Sequence, residues 1–192
     1  MKKKIGWMMA ALLACGAVCS AQARMDEAHR QVLAAQETVA NPVTTAVKET
    51  MARYEKNMTA AADLMPADKF GFKPTPEMIT FGHLTLHIAQ SNDFLCAKIS
   101  GTEAPKVDLK DTDAKDKLVA ALKDSFAFCT SALAGVDDSK LGDPLPWFGG
   151  RTTSRAGVLI ALTDDWYDHY SAQAVYLRLN GILPPTAHRA MK

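Results

Sequence analysis

Residues 162–185, LTDDWYDHYSAQAVYLRLNGILPP, constrain the chain more than any other stretch. They read as the second half of a long helix that ends at Asn180-Gly181 and is stopped by Pro184-Pro185. One face of that helix carries Val158, Leu162, Asp165, His169, Ala172/Gln173 and Tyr176, at spacings of three and four. The ends of the row are apolar, and its middle is a carboxylate and an imidazole. A row built for burial carries an unpaired acid only at high cost. The fold therefore has to bring Asp165 a partner, and a metal ion is one such partner.

Three further segments show helical periodicity. Asn41-Pro42 is a cap followed by proline at the first helical position, and Val43, Val47, Met51, Tyr54, Met58, Ala61/Ala62 and Met65 recur behind it up to Pro66. Thr75-Pro76-Glu77 repeats the start signal and predicts a second helix running to about Ile99, ended by Gly101. Its stripe is Phe81, Leu84, Ile88, Ser91, Leu95 and Ile99, with His87 on the border facing the interior and His83 nearer the rim. A third helix is expected over residues 112–134, with Leu118, Leu122, Phe126, Cys129 and Leu133 as its row. Residues 137–151 form a long link in which proline and paired glycines exclude regular helix, and Trp147 and Phe148 are expected to tuck under the helices. The last helix is expected to begin near Thr153. No segment alternates like a strand, so the class is all-α and the architecture a four-helix bundle.

The N-terminus reads as a targeting segment. Lys2, Lys3 and Lys4 precede a mostly apolar run up to Cys19, too short to span a bilayer comfortably, and Ala21-Gln22-Ala23 is an A-x-A cleavage site. Residues 1–23 are thus read as a signal peptide, 24–40 as a linker or loose helix, and 41–192 as the domain. The expected location is the periplasm or the outside of a bacterial cell. An alternative is a lipoprotein held in the membrane by a lipid anchor on Cys15, because Leu12-Leu13-Ala14-Cys15-Gly16 resembles a lipoprotein box. Removal of the signal leaves two cysteines, Cys96 and Cys129. In an oxidising compartment they are a candidate disulfide, and otherwise two small buried hydrophobes.

A net charge of +1 gives no reason to expect nucleic acid. The GxSxG turn, the phosphate-binding GxxxxGK[ST] loop and CxxC are all absent. What remains is His87, Asp165 and His169 on facing helices, with His83 nearby. Two imidazoles and a carboxylate suit Zn, Ni or Fe as a divalent ion, and three protein ligands leave room for water or substrate. On spacing alone, the alternative is a hydrogen-bonded core histidine beside a paired acid.

Residues 87–101, HIAQSNDFLCAKISG, and residues 168–185, DHYSAQAVYLRLNGILPP, resemble the two signature blocks of the DinB-like superfamily, and PTPEMITFGHL upstream is similar as well. The resemblance covers about residues 41–185. It implies a four-helix bundle holding a divalent metal through three histidines, two of which match His87 and His169. The third falls on Asp165, a departure that makes the site two-His-one-Asp. It also implies a metal-dependent hydrolase or thiol transferase acting on a small molecule, with Tyr170 and Gln173 as candidate substrate or supporting contacts. The other reading is a non-catalytic metal- or partner-binding protein of the cell envelope. The substrate and the oligomeric state, a homodimer included, are left open.

Overall fold

The computed structural model describes residues 39–187. The chain divides into two compact units, Met1–Ala40 and Asn41–Lys192. The helices and the site lie in the second unit. The expected signal peptide, the Cys15 anchor and almost all of the 24–40 segment lie outside the described residues. The described part is mostly helical: α1 spans Pro42–Leu64, α2 Phe81–Ser100, α3 Lys115–Ala134 and α4 Arg155–Leu179. No helix among the described residues is long and apolar enough to cross a membrane.

The helix directions follow from which residues meet. Asn92 pairs with Ser125 and Cys96 with Cys129, in step along both chains, so α2 and α3 are parallel. Tyr54 meets Tyr167 and Gln173 bonds Met58, so α1 and α4 are also parallel. Tyr176 bonds Ile79 while Trp166 bonds Asn92, so α4 runs against α2. Residues 101–114 accordingly carry the chain back along the whole of α2 before α3 begins, and Asp111 arrives beside the start of α2. The link between α3 and α4 connects neighbouring ends and does not cross over.

The apolar rows form one core. Met58, Ala61, Met65, Phe81, Ile88, Ile99, Leu118, Leu122, Phe126, Leu162 and Trp166 are fully buried. Val43, the first member of the expected α1 row, is instead half exposed. At the centre, Trp166 Nε1 donates to Asn92 Oδ1 at 2.7 Å, Asn92 Nδ2 donates to Ser125 Oγ at 3.0 Å, and Ser125 Oγ donates to the Leu122 carbonyl at 2.8 Å. This polar thread ties α4, α2 and α3 together and fixes the rotation of α4 about its axis, because a buried indole N–H and a buried amide each need their partner. Cys96 and Cys129 are joined as a disulfide between α2 and α3, with Cα atoms 5.2 Å apart.

Several ends differ from the sequence expectation. Asn41 does not cap α1 with its own side chain. Asp138 does so from far along the chain: its carboxylate accepts from the amides of Val43 and Thr44, both at 2.9 Å, and Asn41 Oδ1 accepts from the Asp138 amide. Thr75-Pro76-Glu77 does not start α2. It forms a turn, and the helix begins at Phe81 with Thr80 Oγ1 accepting from the His83 amide. The delay has a tertiary cause: the amides of Phe81 and Gly82 donate to the carbonyls of Phe72 and Phe70, and the Tyr176 hydroxyl holds the Ile79 carbonyl. Between α3 and α4, Pro144–Pro146 (β1) and Thr152–Ser154 (β2) form a short antiparallel hairpin, contrary to the expectation of no strand. Trp147 packs partly against the core, whereas Phe148 is 57% exposed and stacks on Phe94, so only one of the two tucks under the helices.

The end of α4 is as the sequence predicts. The Ile182 amide reaches back to Leu177, the Gly181 amide reaches back to Arg178, and Gly181 takes a left-handed φ of 73°. That pair of bonds is the Schellman stop, which needs a residue free of Cβ strain where the helix turns back.

Candidate metal centre

The Thr80 cap sets the phase of α2. His83 falls in the first turn and His87 one turn later. His83 points outward: its Nδ1 lies 3.0 Å from Asp111 Oδ2, with both side chains roughly half exposed. It does not join the cluster. His87 meets Asp165 and His169 of α4, and one donor atom from each of the three lies within 4.8 Å of the others. The two imidazole ring centres are 4.8 Å apart. The Asp165 and His169 side chains are 17% and 14% exposed, and His87 is the most open of the three.

The hydrogen bonds define the protons. His169 Nδ1 lies 2.6 Å from the Asp165 carbonyl oxygen, which can only accept, so Nδ1 carries the hydrogen and Nε2 keeps its lone pair. Asp165 Oδ1 is also 3.4 Å from that Nδ1. Asp165 Oδ2 is buried and makes no hydrogen bond. Ser91, one turn beyond His87 on α2, lies near enough to Asp165 to favour its ionised form weakly. Its hydroxyl does not make a well-formed bond to Oδ2.

Burial raises the Asp165 pKa, and the His169 and His87 imidazoles beside it act in the opposite sense. Burial lowers the His87 pKa, helped by His169 and His83 and opposed by Asp165. The cluster thus holds a carboxylate with an open lone pair, an imidazole pushed toward its neutral form, and a second imidazole whose tautomer is fixed. A buried acceptor left unsatisfied costs about 1–3 kcal/mol, and a cation is one species that would satisfy it. Two donors on one ion, at about 2 Å each, are at most roughly 4 Å apart. In a tetrahedral arrangement the donors stand about 3.3 Å apart, so a pair at the outer limit would close by about 1.5 Å on binding.

Tyr170 and Gln173 are buried, and their hydrogen bonds lead away from the cluster. Tyr170 packs on Tyr54 and bonds Thr186, while Gln173 Nε2 donates to the Met58 carbonyl of α1. Gln173 Oε1 has no partner. Two positioning residues are missed by sequence reasoning, Ser91 and Asn92. The spacing from His87 marks Ser91, four residues on. Asn92 is marked only by the need of Trp166 for a hydrogen-bond acceptor.

By fold, the chain is similar to a DinB-like protein from Bacillus cereus, with 16% identity, a TM-score of 0.62, and coverage of 72% of this chain and 93% of that one. A DinB-like protein from Bacillus subtilis is similar at 14% identity and a TM-score of 0.60, over 71% of this chain and 92% of that one. A mycothiol-dependent maleylpyruvate isomerase is similar at 18% identity and a TM-score of 0.53, over 70% of this chain and 60% of that one. No curated protein matches the sequence significantly. Residues 50–171 match the family model described as the DinB superfamily.

Proposed function

The chain belongs to the DinB superfamily, and on that footing we propose that His87, Asp165 and His169 hold one divalent ion, Zn, Ni or Fe, within an exported four-helix bundle that acts on a small molecule. The observation that carries this reading is Asp165 Oδ2, buried, without a hydrogen bond, and grouped with two imidazoles. A hard, charge-bearing oxygen beside two imidazole nitrogens is a donor set for such ions. The export part rests on the N-terminal segment alone.

When bound, the ion would acidify a water or thiol and polarise a carbonyl or ester of the substrate. The chain does the rest. The Asp165 carbonyl holds the Nδ1 hydrogen of His169, so Nε2 is the nitrogen left to ligate. Burial keeps His87 toward the neutral, ligating form. The Trp166–Asn92 bond fixes α4 against α2, so the donors of the two helices keep their separation. His87, the most open member, marks the side from which a substrate enters. Hydrolysis fits an exported protein better than transfer from a cytosolic thiol.

Metal analysis after reconstitution with Zn, Ni or Fe tests the reading on untagged protein. About one ion per chain is expected, with affinity falling at least tenfold in His87→Ala and in Asp165→Ala, as loss of a direct ligand requires. Absence of stoichiometric metal, or equal binding by Asp165→Ala, would reject it. The Asp165–His169 contact would then stand as an internal ion pair of a structural or partner-binding protein.

A further inference from the structure

A cleft of about 290 Å3 opens at the far end of the helices from the metal centre. Its lining joins the C-terminal ends of α2 and α3, with Ser100, Thr102, Ser131 and Gly135, to Lys140 and Arg155 at the approach to α4 and its start. Arg155 is ten residues before Asp165, so the cleft stands about 15 Å along α4 from the metal centre.

Arg155 breaks two rules of stability at once. It is the first residue of α4, where the helix dipole disfavours a cation. Its side chain is only 15% exposed, yet its Nε is buried with no hydrogen-bond partner. Asp143, which pairs with it, is 3.5 Å from Nη2, at the limit of a bond, and is itself half exposed. Nε is buried out of a ligand's reach, so it is the terminal nitrogens, held only by the long contact to Asp143, that are left to meet the oxygens of a carboxylate at the cleft. Residues that break local rules without a structural gain mark binding positions.

The hydroxyl-bearing part of the lining has the reverse character. Ser100 Oγ donates to the Cys96 carbonyl and Ser131 Oγ to the Ala127 carbonyl, so both protons are spent within their helices. Thr102 Oγ1 lies 2.8 Å from Ser100 Oγ and donates to it. The oxygens of Thr102 and Ser131 therefore offer lone pairs to the cleft, and the helix C-termini behind them add partial negative charge. The cationic part of the lining attracts an anion and the hydroxyl part a donor.

We propose that this cleft binds a small amino or hydroxy acid, its carboxylate on Arg155 and Lys140 and its ammonium or hydroxyl on Thr102 and Ser131. The volume is at the small end for ligand sites and suits a compact molecule. The pairing of cationic and hydroxyl lining selects against a plain anion, which would satisfy only one of them.

Titration of the whole chain by calorimetry and by amide NMR with L-alanine, L-lactate, acetate and inorganic phosphate tests the proposal. L-Alanine or L-lactate is expected to bind saturably and at least tenfold more tightly than acetate or phosphate. Arg155→Lys and Lys140→Ala should each weaken that binding tenfold or more. Lys140 is exposed, so its variant folds and keeps the test sound. His87→Ala should leave the affinity unchanged. The proposal fails if none of the four probes saturates, if acetate or phosphate binds as tightly as the better acid, if either cleft variant binds as wild type does, or if His87→Ala abolishes binding.

Discussion

Asp93 on α2 is 4% exposed and has one carboxylate oxygen without a partner. Burial, and next the carboxylate of Asp124 on α3, push its pKa from an ordinary 3.8 to about 6. A carboxyl whose folded-state pKa lies above its unfolded value holds its proton more tightly when folded. Its contribution to stability is fully present below about 3.8 and is lost as the pH rises through about 6. That rise is worth about 3 kcal/mol, and rearrangement of protein and water around the charge brings the figure to about 2–3 kcal/mol. Asp93→Asn keeps the shape and removes the charge. In urea titrations followed by tryptophan fluorescence, the stability of Asp93→Asn relative to wild type should rise by about 2–3 kcal/mol between pH 4 and pH 8. A difference that stays constant across that range would show that ionised Asp93 is not penalised, and would refute the argument from burial.

The other expectations concern the frame that carries the site. The Cys96–Cys129 bridge closes a loop of 33 residues, worth about 4 kcal/mol by chain entropy, so reduction should lower Tm by about 8–15 °C. Thermal melts with and without dithiothreitol check this, and a Cys96→Ala/Cys129→Ala protein should be indifferent to the reductant. A Cβ at Gly82 would stand 2.7 Å from the Asp111 carbonyl oxygen and 3.3 Å from that of Phe70. Both are backbone atoms that cannot swing aside, so Gly82→Ala should lose about 1–2 kcal/mol in urea titration despite the better helix propensity of alanine. Trp166→Phe strands Asn92 Oδ1 in the core and should cost about 1–3 kcal/mol. It should also loosen metal binding, measurable by competition with a chelator, because α4 loses its register against α2.

The parts legible in the sequence are those decided locally or by period. The row from Val47 to Met65 and the stop at Asn180-Gly181 need only the residues themselves. The pair Asp165 and His169 is visible because four residues make about one helical turn. His87 is visible because the border of a stripe faces the interior, and the same geometry sets His83 apart on the rim. The start of α2 is misleading because Thr75-Pro76-Glu77 is a sound local signal overruled by Phe70, Phe72 and Tyr176, which meet the helix start in space and not in sequence. The hairpin escapes notice because strands of three residues, two of them proline in β1, are too short for a period to show. The open oxygen of Asp165 and the unspent Nε of Arg155 have no signature in sequence at all. Both are absences of a partner, and an absence is defined only once everything nearby has been placed.

The clasp between Asn41 and Asp138 sets an order of events during synthesis. The carboxylate that completes the first turn of α1 lies 95 residues after the Val43 amide it holds. At 5–20 residues per second, that is about 5–20 s of elongation. Throughout that interval the start of α1 presents free amides and the half-made face of Val47, Met51 and Tyr54 to whatever meets it first. The start of α1 is therefore among the last parts of the described helices to be completed, although it is the first of them to be made.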